Sequence, residues 1–515
     1  MNGAETLVKT LLANGVDTCF ANPGTSEMHF VAALDSHPEM NCMLCLFEGG
    51  TSGAADGYAR MKGDIAATLL HLAPGFGNAY ANLHNARKAG SGVLNIVGEH
   101  AERHLRYESP LKGDIAGVTG SVSHWTRVSP DSLSVAADGA AAIRAARSKN
   151  GQIATLVLPA NTAWDPAEGP ANSLPPPPLE RPSPLAIEAA AATLSEPGAF
   201  LMIGGAALVG EARQLAGQIA AKTSCRLVSD TFFARAEKGA GTPVFEQLVY
   251  LVEPKMAQLK DARSITLVGT NRPVAFFAYP GKPSLPEPAG CKIDPLCNAN
   301  MDVAWTIRAL ADALDVTDAD VAKTFSLDLP GLPTGALTLE KVGAALAAFL
   351  PENAIVMNES VTSGSSVIPP LATAHPHDLL TGTGGSIGIC LPCATGAAVA
   401  CPDRKVVALT GDGSAMYTLQ SLWTMAREQL DITALVFANR GYQILRDELT
   451  NVGVTQIGRN ATRMFDVANP ELDWVSLARG HGVPATRADD MDVLIKALTE
   501  SFASDGPSLI EVVCP

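Results

Sequence analysis

Runs of consecutive aliphatic residues, without the polar alternation of a half-exposed strand, punctuate the first third of the chain: Thr18 to Ala21, Met43 to Phe47, Ala66 to Leu70, Val93 to Val97 and Thr155 to Leu158. Such runs predict strands covered on both faces, and the helical patterns between them predict βαβ units. The alternation recurs later, at Phe200 to Ile203 before Gly204-Gly205 and at Val406 to Thr410 before Gly411. Two proline-rich breaks, Asn172 to Pro178 with Pro182 and Pro184, and Leu329 to Pro333, read as extended linkers. They divide the 515 residues into 1–171, 185–328 and 335–515, each of ordinary domain size. The expected fold is α/β, with three doubly wound parallel-sheet domains.

Composition narrows the class. The chain is 47% hydrophobic and 17% charged, with no apolar run of 18 residues and no basic, apolar leader at Met1 to Glu5. A cytoplasmic protein without a membrane segment is expected. A formal charge of -15 argues against a surface that coats nucleic acid, since phosphate binding needs clustered Lys and Arg. Ten cysteines include two Cys-x-x-Cys pairs, Cys42 with Cys45 and Cys390 with Cys393. They are read as buried thiols rather than a redox pair or zinc site, because two of them lie in an apolar strand-like run. Asp35, Glu39 and Arg60 are expected on the solvated surface.

The candidate chemistry sits at strand ends, where open α/β sheets bind ligands. Gly411-Asp412-Gly413 follows one buried run, and Asn439 follows another. Asp412 offers a carboxylate and Asn439 an amide oxygen, a set suited to Mg²⁺. Ser414 to Glu428 is expected to form one helix, whose free N–H groups would meet a diphosphate. Glu48 follows a strand and precedes a helix of small residues, Gly49 to Arg60, which would let it pack close to a flat ring. Thr25 and Ser26 cap a turn after Ala21. His71 stands before the Gly-rich stretch Pro74 to Asn78, positioned to exchange protons near pH 7.

Gly411-Asp412-Gly413, the spacing to Ala438-Asn439-Arg440-Gly441-Tyr442, and Glu48 with its small-residue helix resemble the signature of thiamine diphosphate (ThDP) enzymes. The likeness is to the pyruvate-oxidase-like group of 2-oxo acid decarboxylases and acetohydroxyacid synthases. It implies pyrimidine-binding, central and diphosphate-binding domains, with ThDP and Mg²⁺ as cofactors. By this resemblance Asp412, Asn439 and the Gly441 carbonyl hold the metal. Thr362, Gly385, Ile387, Gly411, Gly413, Ser414 and Tyr442 join Glu48 around the cofactor; Ile387 is the wedge that bends it, and Gly385 accepts from its amino group. Glu48 would bond the pyrimidine ring nitrogen and so promote a C2 carbanion that attacks the 2-oxo group, giving an enamine once CO₂ leaves. The site would be shared between subunits of a homodimer or homotetramer.

Within the family, His71 and its following glycines resemble benzoylformate decarboxylase, and Thr25 or Ser26 would then bond a substrate carboxylate. The stretch Arg272 to Gly281, where that enzyme carries a second catalytic histidine, has Phe276 and Phe277 instead. Decarboxylation of a small 2-oxo acid is the first expectation, and an acetolactate-synthase-like carboligase the second. FAD in the central domain is left open but not favoured, because Phe200 to Gly205 lacks Gly-x-Gly-x-x-Gly. A nicotinamide oxidoreductase and a non-catalytic ThDP-binding regulator are the readings from other classes.

Overall fold

A computed structural model describes residues 1–514. Three sheets organise it. The first has six parallel strands in the order Asn41–Leu44, Thr18–Ala21, Ala66–Leu70, Val93–Glu99, Ile153–Pro159, Trp125–Val128. The second has five, in the order Glu246–Gln247, Arg226–Ser229, Ala199–Ile203, Ser264–Val268, Lys292–Cys297. The third has seven, in the order Ala485–Ala488, Ser508–Val513, Ile432–Ala438, Val406–Gly411, Ala354–Glu359, His377–Thr381, Ala236–Lys238. That last strand comes from the middle of the chain and pairs antiparallel with His377–Thr381, tying the second unit to the third.

The central strands are buried along their whole length, which is why they read as unbroken aliphatic runs. Each fully buried Leu, Val or Ile side chain contributes roughly 1.5–3 kcal/mol. Thr18–Ala21 and Ala66–Leu70 lie where the pattern puts them. The expected strand from Met43 to Phe47 is displaced to Asn41–Leu44, because Phe47 adopts the N-cap position and Glu48 opens the helix Glu48–Lys62. Trp125–Val128 escapes the pattern; it is an edge strand whose side chains are mostly exposed. The expected helix from Ser414 to Glu428 is broken into Asp412–Ala415 and Ser421–Arg427. Between them Thr418 donates its hydroxyl to the Gly388 carbonyl at 2.7 Å, drawing the chain out of helical register.

The small-residue helix Glu48–Lys62 packs closely against another helix. Its neighbour is Cys390–Ala400 of the third domain. A Cβ on Gly57 would lie 2.0 Å from the Cys393 carbonyl oxygen, and one on Gly396 would lie 1.8 Å from the Ala54 carbonyl oxygen. The two backbones therefore touch. Cys390 and Cys393 lie inside this contact, and burial pushes the Cys393 thiol up to about 12. Cys45 is buried too, but Cys42 is exposed, contrary to expectation, because its strand is the outermost of the sheet.

Arg60 also departs from expectation. Asp35 and Glu39 are exposed, whereas Arg60 is buried and forms a two-pronged pair with Asp56, Nε to Oδ1 at 2.8 Å and Nη2 to Oδ2 at 2.7 Å. Its Nη1 donates to the carbonyls of Ala234 at 3.2 Å and Thr381 at 2.7 Å, so one guanidinium joins all three segments. Burial opposes the charge, but the Asp56 carboxylate outweighs it and raises the guanidinium pKa.

Gly396→Ala should lower stability by roughly 1–3 kcal/mol in urea unfolding, because a methyl group cannot enter the contact without moving backbone. Gly480→Ala, where nothing lies within 4 Å of the added carbon, should stay within about 0.5 kcal/mol of wild type.

Candidate active site

Asp412 and Asn439 leave neighbouring strands at the same edge, with Gly411 in register with Phe437. The Asp412 carboxylate accepts the backbone N–H of Gly413 on one oxygen and that of Arg440 on the other, both at 2.7 Å. Asn439 Oδ1 accepts the Gly441 N–H at 3.2 Å. Arg440 adopts a left-handed φ of 57°, which turns the chain back so that Gly441 follows directly. Burial raises the Asp412 pKa against the two N–H bonds. Each carboxylate oxygen keeps a free lone pair, and with the Asn439 amide and Gly441 carbonyl the donors are all hard oxygens. That chemistry fits Mg²⁺. Among the described residues no group of three or more His, Cys, Asp and Glu side chains could hold a metal.

The rest of the edge is built around this pair. A Cβ on Gly413 would lie 2.4 Å from the Tyr442 ring, so the aromatic covers the backbone after Asp412. Ser414 is buried in the four-residue helix Asp412–Ala415, which is too short to supply the dipole expected from a long one. Thr362 enters the helix Val361–Val367 just after strand Ala354–Glu359. Gly385, at φ 72°, and half-buried Ile387 lie in the loop after His377–Thr381. That loop is held by Glu359, whose Oε1 accepts the N–H groups of Gly388 at 2.8 Å and Ile389 at 3.1 Å, and whose Oε2 accepts that of Cys390 at 3.1 Å. Burial pushes the Glu359 carboxyl up to about 7 against those three donors.

The first domain contributes a second cluster. Glu48 is 7% exposed, and its Oε2 accepts from Asn78 Nδ2 at 3.0 Å. His71 caps the helix Leu72–Ala89, and the next residue, Leu72, is forced to a φ of 49°. A Cβ on Gly75 would lie 3.2 Å from both Glu48 Oε1 and His71 Cβ, so a single glycine separates the two groups. Ser26 Oγ is 3.3 Å from His71 Nδ1. Thr25 is exposed and has no side-chain hydrogen bond among the described residues, so the structure brings Ser26 but not Thr25 to the histidine.

Two buried carboxylates that hold the candidate residues in place, Glu27 and Glu359, were not singled out from the sequence. Glu27 is 4% exposed, and its Oε2 contacts His71 Nδ1 at 2.8 Å while also accepting the Gly24 N–H at 2.8 Å. The Ser26 hydroxyl donates to its other oxygen. Its signal was its place as the acidic residue of the loop beside the His71 strand. Glu359 gave no signal beyond standing at a strand end. Phe276 and Phe277, whose roles the sequence left unassigned, are exposed and stack edge-on with centroids 4.8 Å apart. Phe276 reaches Gly385, where an added Cβ would lie 2.9 Å from its Cζ. The same loop is anchored by Tyr279, which with Tyr250 donates to Glu448 Oε1 at 3.2 and 3.1 Å, on the helix after Tyr442.

The middle sheet's strand order reverses between Ala199–Ile203 and Ser264–Val268. There Cβ atoms on Gly204 and Gly269 would fall 2.5 and 2.3 Å from each other's carbonyl oxygens, so the two strand ends meet backbone to backbone.

A sheet edge that gathers an Asp and Asn pair, facing loops held by buried carboxylates, and a Glu and His pair on a separate α/β domain define a diphosphate-cofactor enzyme. The chain belongs to the thiamine pyrophosphate enzyme family. Residues 1–119 match the N-terminal TPP binding domain of thiamine pyrophosphate enzymes, and residues 365–512 match the C-terminal TPP binding domain. Across 100% of its length the chain is 46% identical to a putative acetolactate synthase large subunit, IlvX, of Mycobacterium tuberculosis, covering 99% of that protein. It is 27% identical to benzoylformate decarboxylase of Pseudomonas aeruginosa, over 98% of this chain and 97% of that one. Its fold matches a thiamine diphosphate-dependent 4-hydroxybenzoylformate decarboxylase of Rhodococcus jostii RHA1 with a TM-score of 0.87 at 24% identity, over 100% and 99% of the two chains. Thiamine diphosphate is thus the cofactor of its family, whose members here include decarboxylases and acetolactate synthases. No helix among the described residues is long and apolar enough to cross a membrane.

Because its folded pKa lies above that of a free glutamate, Glu359 contributes stability that is complete below about pH 4.5 and lost as pH rises through about 7. The expected size is about 3 kcal/mol, from 1.36 kcal/mol per pH unit. The urea stability of wild type relative to Glu359→Gln should therefore be more favourable at pH 5 than at pH 8, and an equal difference at both would contradict it.

Proposed function

We propose that this enzyme decarboxylates a small 2-oxo acid to an aldehyde, using ThDP with Mg²⁺ held by Asp412, Asn439 and the Gly441 carbonyl. The observation that carries the reading is the Glu48 and His71 pair separated by Gly75. Bound ThDP would supply the electron sink that lets CO₂ leave. Glu48, in a dry pocket and oriented by Asn78, is suited to bond a ring nitrogen of that cofactor. His71 has Nδ1 engaged by Glu27, which leaves Nε2 to exchange protons with the substrate oxygen. Ser26 is placed to bond the substrate carboxylate; Thr25 is a weaker candidate for that role because it points to solvent. Thr362, Gly385, Ile387, Gly411, Gly413, Ser414 and Tyr442 form the remaining cofactor cradle.

A second reading has its own observation. Phe276, rather than an acid or base, stands against Gly385. An apolar group there would slow protonation and favour joining the bound fragment to a second carbonyl, as in a carboligase of acetolactate synthase type. The 46% identity to the M. tuberculosis protein supports keeping it.

As the family resemblance implies, the enzyme is a homodimer or homotetramer with sites shared between subunits. Sedimentation of the active enzyme should give a dimer or larger, and a fully active monomer would refute the shared site. The chemistry is read by NMR of products after pyruvate and benzoylformate are supplied separately with ThDP and Mg²⁺. Free aldehyde is expected, with turnover reduced at least tenfold in His71→Ala; acyloin as the main product would move the assignment to the carboligase.

A further inference from the structure

A second histidine stands on the same sheet edge as His71, one strand away. Strand Ala66–Leu70 pairs with Val93–Glu99 so that Leu70 lies opposite Val97. His71 therefore comes level with Gly98, and Glu27 fills the space over that glycine, where a Cβ would lie 1.8 Å from Glu27 Oε1. His100 follows two residues further on.

The two histidines are held alike. His71 Nδ1 contacts buried Glu27 at 2.8 Å, and His100 Nδ1 contacts largely buried Glu99 at 3.0 Å. Their rings are 20% and 16% exposed, open enough to meet a small molecule. His100 differs in that its Nε2 is already engaged, at 2.7 Å, by the hydroxyl of half-buried Ser109. A carboxylate on Nδ1 fixes the ring's orientation, while a hydroxyl on Nε2 gives a proton a path outward. The segment carrying Ser109 lies across the edge of the sheet. At one end the Glu102 N–H donates to Asn161 Oδ1 at 2.8 Å, and at the other a Cβ on Gly113 would lie 2.7 Å from Ala73 Cβ, two residues after His71.

We propose that Glu99, His100 and Ser109 form a second proton-transfer unit of this site, distinct from the Glu27 and His71 pair. The inference rests on the proposed reaction of a 2-oxo acid. That reaction has two proton demands. One is on the oxygen as the carbonyl is attacked, which His71 meets. The other is on the carbon left electron-rich when CO₂ departs, which must gain one proton before an aldehyde can leave. His100 delivers that proton through the Ser109 hydroxyl: Ser109 gives its proton to the carbon and regains one from His100 Nε2, and the imidazole is recharged from solvent. The unit thus fills the role for which Phe276 and Phe277 offer no acid.

A loop staple of the same geometry would affect stability alone. The experiment therefore reads product partition on the holoenzyme with ThDP and Mg²⁺, supplied with benzoylformate or pyruvate, for wild type, His100→Gln and Ser109→Ala. Both variants should lower kcat for aldehyde at least tenfold with KM changed less than threefold, and raise the fraction of acyloin. Loss of the Ser109 hydroxyl should also shift the NMR titration of the His100 ring in the protein without substrate. Unchanged partition in both variants, with wild type releasing aldehyde, overturns this proposal and leaves the decarboxylase reading standing. A wild type that turns over no 2-oxo acid overturns both. If both variants lose aldehyde and acyloin alike, proton delivery to carbon is not the step they serve, and the proposal is overturned.

Discussion

The contact between helices Glu48–Lys62 and Cys390–Ala400 is the constraint on which the rest depends. Both helices begin at candidate site residues: Glu48 opens the first, and the Gly388 to Cys390 turn held by Glu359 leads into the second. With Gly57 and Gly396 against opposing carbonyl oxygens, the backbones are nearly as close as the chain permits. Any side chain larger than hydrogen would push them apart and carry the two loops with them. Packing of this kind is felt at the level of a single methyl group. Arg60 adds direction to the contact, since its planar fork meets Asp56 while Nη1 reaches carbonyls in two other segments.

Three buried carboxylates then do similar work at three strand ends. Asp412 takes two backbone N–H groups, Glu359 takes three, and Glu27 takes one together with the His71 ring. Each costs desolvation, as the raised pKa values of Asp412 and Glu359 record. What they return is order: loops without regular structure are locked by charge-assisted bonds before any ligand arrives. The glycine-rich turn that carries Gly385 and Gly388 is fixed in this way, with the Gly388 N–H on Glu359.

The fold was legible in the sequence because parallel strands buried on both faces need continuous aliphatic runs, and Ala66–Leu70 has one. The motif spacing put Asp412 and Asn439 at the ends of two buried runs, and the structure has them leaving neighbouring strands at one edge. Legibility failed where a residue's role comes from a distant partner. Arg60 looks like a surface charge until Ala234 and Thr381 are brought to it by the tertiary fold. The small residues of Gly49 to Gly57 announced a close approach but not its partner, because glycine records the absence of a side chain and says nothing of what fills the space. The helix expected over Ser414 to Glu428 broke for the same reason: its local propensity was outweighed by the bond from Thr418 to Gly388.

The middle segment is tied to the third domain at two places. Its strand Ala236–Lys238 extends the third sheet, and its Tyr250 and Tyr279 hydroxyls meet Glu448 on the helix that follows Tyr442. The first attachment fixes the domain at the edge of the sheet and the second brings the Phe276 loop over Gly385. The middle domain thus places Phe276 against Gly385 of the third, while Glu48 and His71 are held by Asn78 and Glu27 from within the first. A change in the Phe276 loop therefore leaves both side chains anchored where they stand.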